Sequence, residues 1–152
     1  MKSVLSFLIC LLLVVSFSAC TVAEEKFILN ESNIISFDLS GITVKGELIS
    51  GSQNEISFVL SEPENLSGVT FSESKIKTQD VKISYPEIKE ESPVYMLICI
   101  VKDISLKEIF LPRKGDFTVS GSVPSWNYKI AFDCENQKII SIETEKYKYI
   151  FE

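Results

Sequence analysis

Ile42-Thr43-Val44-Lys45-Gly46-Glu47-Leu48, then Ser50-Gly51-Ser52-Gln53-Asn54, then Ile56-Ser57-Phe58-Val59-Leu60 is the stretch on which the fold turns. Ile42, Val44, Gly46 and Leu48 alternate with Thr43, Lys45 and Glu47, the period of a strand buried on one face. A polar loop follows, and Ile56, Phe58 and Leu60 resume the alternation, which predicts a β-hairpin. Upstream, Phe27-Ile28-Leu29 and Ile34 to Leu39 carry extended, β-favouring residues that Gly41 punctuates. Downstream, Glu62-Pro63-Glu64-Asn65 reads as a loop, Val69-Thr70-Phe71 as a short strand and Val81-Lys82-Ile83-Ser84-Tyr85 as another that Ile76 would open early. Residues 86–93 have the composition of an exposed connection. Strands joined this tightly are most simply antiparallel.

The pattern changes at Val94-Tyr95-Met96-Leu97-Ile98-Cys99-Ile100-Val101, a nearly unbroken apolar run with Pro93 at a first-turn position. With Ile104, Leu106, Ile109 and Phe110 near helical spacing, it predicts helix over 94–110, interrupted around Lys102-Asp103. Its β-branched content leaves a buried central strand as the alternative. Pro112 ends the segment either way. Strands then return at Phe117 to Gly121, and at Trp126 to Asp133, where Trp126, Tyr128, Ile130 and Phe132 share a face. Ile140 and Ile142, then Tyr147, Tyr149 and Phe151, complete a C-terminal meander. The expected class is α+β, mostly β: an antiparallel incomplete barrel or strongly curved sheet with a short helical covering segment.

The first residues address location. Lys2, the apolar run from Val4 to Val15 and the small pair Ser18-Ala19 before Cys20 make up the three regions of a secretory signal. The run is too short for the ~20 residues of a spanning helix. Phe17-Ser18-Ala19-Cys20 resembles the lipobox of bacterial lipoproteins, which implies a diacylglyceryl thioether on Cys20 and a membrane anchor. The alternative is ordinary cleavage beside an incidental cysteine. The organisation expected is a signal peptide over 1–19, a lipidated tether over 20–26 and a single β-rich domain over 27–152. Without residues 1–19 the chain keeps 133 of its 152 residues, with 14 basic and 21 acidic side chains and a net charge of −7. Such a surface repels phosphates, so neither nucleic acid nor anionic headgroups are expected electrostatic partners. Beyond Cys10 in the signal and Cys20, only Cys99 and Cys134 remain. An exported chain could join them in a disulfide, and two buried thiols are the other reading.

Val44-Lys45-Gly46-Glu47-Leu48, the run from Ile56 to Phe71, Val81 to Tyr85, and the closing segments Asn127 to Asp133 and Lys138 to Glu143 resemble the lipoprotein-carrier superfamily with the LolA/LolB-like fold. That resemblance spans most of the chain after Cys20. It implies an incomplete antiparallel barrel whose concave side is covered by helical segments, with an apolar space between sheet and lid that receives acyl chains in the carriers. On that expectation Phe58, Phe71, Tyr85, Tyr128 and Phe132 on the sheet and Tyr95, Leu97, Leu106 and Phe110 on the covering segment would line a ligand site. The alternative is that these side chains interlock as a dry core.

With no histidine, the chain cannot form a Ser-His-Asp or Cys-His pair or an imidazole-metal site. Glu62, Glu64, Glu87, Glu90 and Glu91 lack the spacing of a calcium loop and read as solvated charge. An apolar neighbourhood would raise the pKa of a Cys99 nucleophile. Two expectations follow: a non-catalytic, cofactor-free lipoprotein on the extracytoplasmic face of the cell membrane that binds a lipid or other apolar ligand, or a surface-tethered interaction module with a filled core.

Overall fold

The computed structural model describes residues 24–51, 55–72, 75–77, 82–84 and 92–152. The strands are β1 (Glu24–Lys26), β2 (Ser32–Leu39), β3 (Ile42–Ser50), β4 (Ile56–Glu62), β5 (Thr70–Ser72), β6 (Lys75–Lys77), β7 (Lys82–Ser84), β8 (Phe110–Pro112), β9 (Asp116–Val123), β10 (Trp126–Asp133), β11 (Lys138–Thr144) and β12 (Lys148–Phe151). The α-helix among the described residues, α1, spans Pro93–Ser105. Ten strands form one antiparallel sheet in the order β7-β6-β5-β4-β3-β2-β12-β11-β10-β9, while β1 pairs separately with β8. The large sheet does not close on itself; β7 and β9 are its edges.

The hairpin that decided the sequence reading is present as β3 and β4, with Leu48 opposite Phe58. Val44, Leu48, Ile56, Phe58 and Leu60 are buried and Thr43 faces water, as the alternation requires. Ile42 is exposed, because it closes the tight turn after β2 rather than reaching the core. That turn has left-handed backbone at both Ser40 and Gly41, the geometry of a two-residue hairpin loop, and the Gly41 amide donates to Asp38 Oδ1 at 3.0 Å.

The apolar run is a helix, not a central strand. Ser92 caps it by accepting from the Tyr95 amide at 3.3 Å, and Pro93 starts the first turn where its missing N–H costs nothing. Met96, Leu97, Ile98, Ile100 and Val101 are fully buried. At ~1.5–3 kcal/mol for each such side chain removed from water, this enclosure outweighs the weak helix propensity of β-branched residues.

The helix ends earlier than its apolar spacing suggests. It stops at Ser105, not at residue 110, so Leu106 is 64% exposed and Phe110, on β8, is 47% exposed. The expected polar tether also differs, since Glu24–Lys26 are strand β1, held by backbone pairing to β8 while every side chain faces water. Phe27-Ile28-Leu29, expected as strand, are irregular chain that leaves β1. Ile76 opens no early extension of β7 but lies in its own strand, β6. In the C-terminal meander Ile140 is turned to solvent, because a bulge pairs Ala131 with Ser141 and Phe132 with Ile139 and leaves Ile140 without an opposite residue.

Aromatic rings fill the sheet's inner face closely. A Cβ on Gly46 would stand 2.5 Å from the Val59 carbonyl oxygen and 2.6 Å from Phe58 Cζ, and one on Gly121 would run into the Tyr128 ring. Glycine is needed at both places so that a ring can lie on the backbone. We therefore expect Gly46→Ala to destabilise the fold by about 1–3 kcal/mol through overpacking. The measure is a lower urea midpoint at an unchanged slope; an unchanged midpoint would mean that the β3–β4 pair yields to the extra methyl.

Candidate functional site

The C-terminal end of α1 is where apolar chain meets water. A groove of about 430 Å³ opens there between the helix end and the segment that leaves β1. Its floor is Phe27, Leu29 and Ile104, its lips are Ile28 and Leu106, and Lys26, Lys107 and Glu108 stand around it. Ile28 is 76% and Leu106 is 64% exposed, an unusual degree for branched apolar side chains that line one groove. The groove exists because β1 is pinned to β8: the Phe27 amide donates to Ile109 O at 2.8 Å, which carries residues 27–29 past the end of the helix.

Two polar contacts frame it. Lys26 Nζ meets Glu108 Oε1 at 2.6 Å across the mouth, and this ammonium holds the Glu108 carboxyl below its ordinary value. Deeper, Lys107 Nζ lies 2.5 Å from Asp103 Oδ2 and 3.1 Å from Tyr128 Oη, and the Tyr128 hydroxyl also donates to Asp103 Oδ2. The Lys107 ammonium stands 5.6 Å from the centre of the Tyr128 ring. Burial pushes the Asp103 carboxyl up, but the hydrogen bonds from Lys107 and Tyr128 outweigh it and the net shift is downward. The hydrogen bond to Asp103 and then that to Tyr128 raise Lys107. Burial, with the contact to Asp103, raises Tyr128. An ammonium stabilised in this way is a poor nucleophile or base at neutral pH. The cluster therefore works as a clamp between the helix end and β10, with the Lys107 charge balanced by the Asp103 carboxylate.

The residues expected to line a site between sheet and helix are mostly interior. Phe58, Leu97, Tyr128 and Phe132 are buried, and Phe71 packs half-buried against the same core. Tyr95 is half-buried on α1, with its ring edge-on to Trp126 at 6.2 Å. Phe110 is exposed on β8, outside the groove. Only Leu106 of that set reaches the groove, while Tyr85 and Cys20 lie outside the described residues. A smaller cavity of about 110 Å³ lies by Met96, Trp126 and Lys146. Cys99 and Cys134 are not joined in a disulfide. Burial pushes the buried Cys134 thiol up, and the carboxylates of Asp133 and Asp116 add to the shift, which makes it an inert side chain.

No protein family, curated protein or solved structure matches this chain. What the site does must be argued from its own residues. Among the described residues no three His, Cys, Asp or Glu side chains gather as metal ligands, and no helix is long and apolar enough to cross a membrane. Sequence reasoning missed the groove residues Phe27, Ile28, Leu29, Ile104 and Lys107. The one available signal was the apolar triplet Phe27-Ile28-Leu29 directly after a charged stretch.

The clamp has a pH signature. A carboxyl held below its ordinary 3.8 contributes stability above that value, and the contribution is lost as pH falls through the folded pKa. Lys107, raised above 10.5, contributes below that value and ceases to as pH rises through its folded pKa. We expect Asp103→Asn to cost about 1 kcal/mol at pH 7, modest because a partly exposed pair is screened by water. The difference from the wild type in urea midpoint should shrink as the solution is acidified below pH 3.8; a difference that stays constant would deny Asp103 this role.

Proposed function

We propose that the chain is a non-catalytic, lipid-anchored protein of the cell envelope that holds a small apolar or amphipathic ligand in the groove at the C-terminal end of α1. The groove carries this reading, because its volume of about 430 Å³ falls in the ~300–1,000 Å³ range of small-molecule sites. Its lining is mixed: Phe27, Ile28, Leu29, Ile104 and Leu106 supply apolar surface, while Ser50, Ser105 and the carboxylate-paired Lys26 and Lys107 supply polar groups for a polar end. The site is displaced from the sheet–helix interior that a carrier-like fold would use, since aromatic rings occupy that interior.

A half-barrel related to the lipoprotein carriers fits this proposal. In its favour, α1 packs against β4 and β5 and also against β9. From β5 to β9 is seven strand spacings, about 34 Å at ~4.8 Å each. A 13-residue helix is only about 20 Å long. One short helix that reaches both regions favours a sheet curved around it. The net charge of −6 speaks against nucleic acid as a partner.

The exposure of Ile28 and Leu106 also favours a second reading, in which the groove is a contact patch for another protein beside a filled core. A fluorescent fatty acid titrated into the full chain separates the two. On the ligand reading it binds, and Ile28→Asp and Leu106→Asp each weaken it by about tenfold to a hundredfold, the equivalent of ~1.5–3 kcal/mol of apolar burial. Both positions are exposed, so circular dichroism should be unchanged. Absence of binding to the wild type would abandon the ligand reading in favour of the contact patch.

The anchor is tested separately. Wild-type protein should sediment with membranes, with an intact mass that lacks residues 1–19 and carries a diacylglyceryl group, whereas Cys20→Ser should be released into the soluble fraction. Membrane association that survives the substitution would remove Cys20 from the account.

A further inference from the structure

Strand β9 (Asp116–Val123) is the longer edge of the ten-stranded sheet, and among the described residues nothing pairs with its outer side. Natural edges are blunted by lysine, proline, a bulge or shortness. The opposite edge has two of these features, since β7 is three residues long and includes Lys82. Asp-Phe-Thr-Val-Ser-Gly-Ser-Val, the sequence of β9, is eight residues long with no lysine and no proline, and it runs without a bulge along β10.

The two-residue loop Pro124-Ser125 closes on the pair Val123–Trp126, which is the hydrogen-bonded pair in such hairpins. Alternation from there points the N–H and C=O groups of Val123, Gly121, Val119 and Phe117 at β10. It leaves those of Asp116, Thr118, Ser120 and Ser122 directed outward. On the inner face Phe117, Val119 and Val123 pack against the core yet remain only half-buried, because the sheet ends there.

We infer that β9 pairs antiparallel with β9 of a second copy of this chain, joining two sheets across a two-fold axis. The strand is self-complementary in one register. With Val119 opposite its own counterpart, Thr118 faces Ser120 and Asp116 faces Ser122, so all four outward residues are used and no like charges meet. Asn127, the β10 neighbour of Ser122, extends the hydrogen-bonding surface offered to the incoming Asp116 carboxylate. Small hydroxyl side chains opposite one another suit such pairing. The half-buried Val119 side chains would cover each other across the axis. Two-fold contacts of one surface with itself are the commonest oligomer interface.

The test uses the full chain in mild detergent. Light scattering should give a dimer mass for the wild type, and Ser120→Lys should raise the dissociation constant by about tenfold or more, since a lysine on the edge opposes pairing. Circular dichroism of that variant should match the wild type, because Ser120 is exposed and its outward backbone groups are outside the intrachain ladder, while its melting should fall slightly because the new lysine stands opposite Lys129. Val119→Cys provides a second readout. In the proposed register the two Val119 Cα atoms form a non-hydrogen-bonded pair about 4.5 Å apart, within disulfide reach. Mild oxidation should then yield a covalent dimer that the wild type, with its native cysteines, does not form. A wild type monomeric at every concentration would overturn the inference. So would a dimer that Ser120→Lys leaves intact, or a β9 edge that captures an extended peptide while the chain stays monomeric.

Discussion

The structure depends on enclosing a helix that has almost no polar side. Five consecutive or near-consecutive residues of α1, from Met96 to Val101, are fully buried, and Val94 and Ile104 extend the burial to both ends. An ordinary amphipathic helix rests one stripe on a sheet and turns the rest to water. This one must be covered on several sides, and the chain meets that demand with strands drawn from both its N-terminal and its C-terminal halves. The sheet order reflects it: β2 and β12, distant in sequence, pair at the centre, where Phe37 lies opposite Tyr149. The Tyr149 hydroxyl donates to Pro93 O at 2.8 Å, so the middle of the sheet also holds the first turn of the helix.

Close packing around that helix decides where open space is left. Phe58 lies on Gly46 and Tyr128 on Gly121, while Phe27, Phe117 and Phe132 meet edge-on or tilted at 5.1 and 6.1 Å. Rings that touch backbone on one side and other rings on another leave little room for an acyl chain. A groove opens where the helix stops and its apolar period runs on for one more residue, Leu106, and a smaller cavity lies by Met96 and Trp126. The groove is thus a consequence of the early helix end, and the clamp of Asp103, Lys107 and Tyr128 is part of that end.

The strands were legible where one face is buried and the other wet. β3, β4 and β10 alternate strictly in sequence and do so in burial, and their hairpins close where turn residues stand. Over residues 94–101 the sequence predicts the helix that forms yet leaves a buried strand as its alternative, because a segment covered on several sides shows no clear period. The end of the helix was illegible for a related reason: Leu106, Ile109 and Phe110 keep helical spacing, yet backbone pairing of β8 with β1 takes Phe110 into a strand. β1 itself, Glu24-Glu25-Lys26, has no apolar residue to announce it. The groove inherits this obscurity, since one wall is positioned by β1 and the other by an unforeseen helix end. Ile140 shows the limit of period counting, as one bulged residue reverses the face of every neighbour on one side of it.

Tyr128 links these regions. Its ring lies on Gly121 of the edge strand β9, and its hydroxyl reaches Asp103 and Lys107 at the end of α1. Lys107 in turn lines the groove. A negatively charged group that entered the groove against Lys107 would compete with Asp103 and Tyr128 for the same ammonium protons. Loss of either bond would loosen the hold of the helix end on β10, and through the Tyr128 ring it would be felt at Gly121. The distance from groove to sheet edge is therefore spanned by one side chain and two hydrogen bonds.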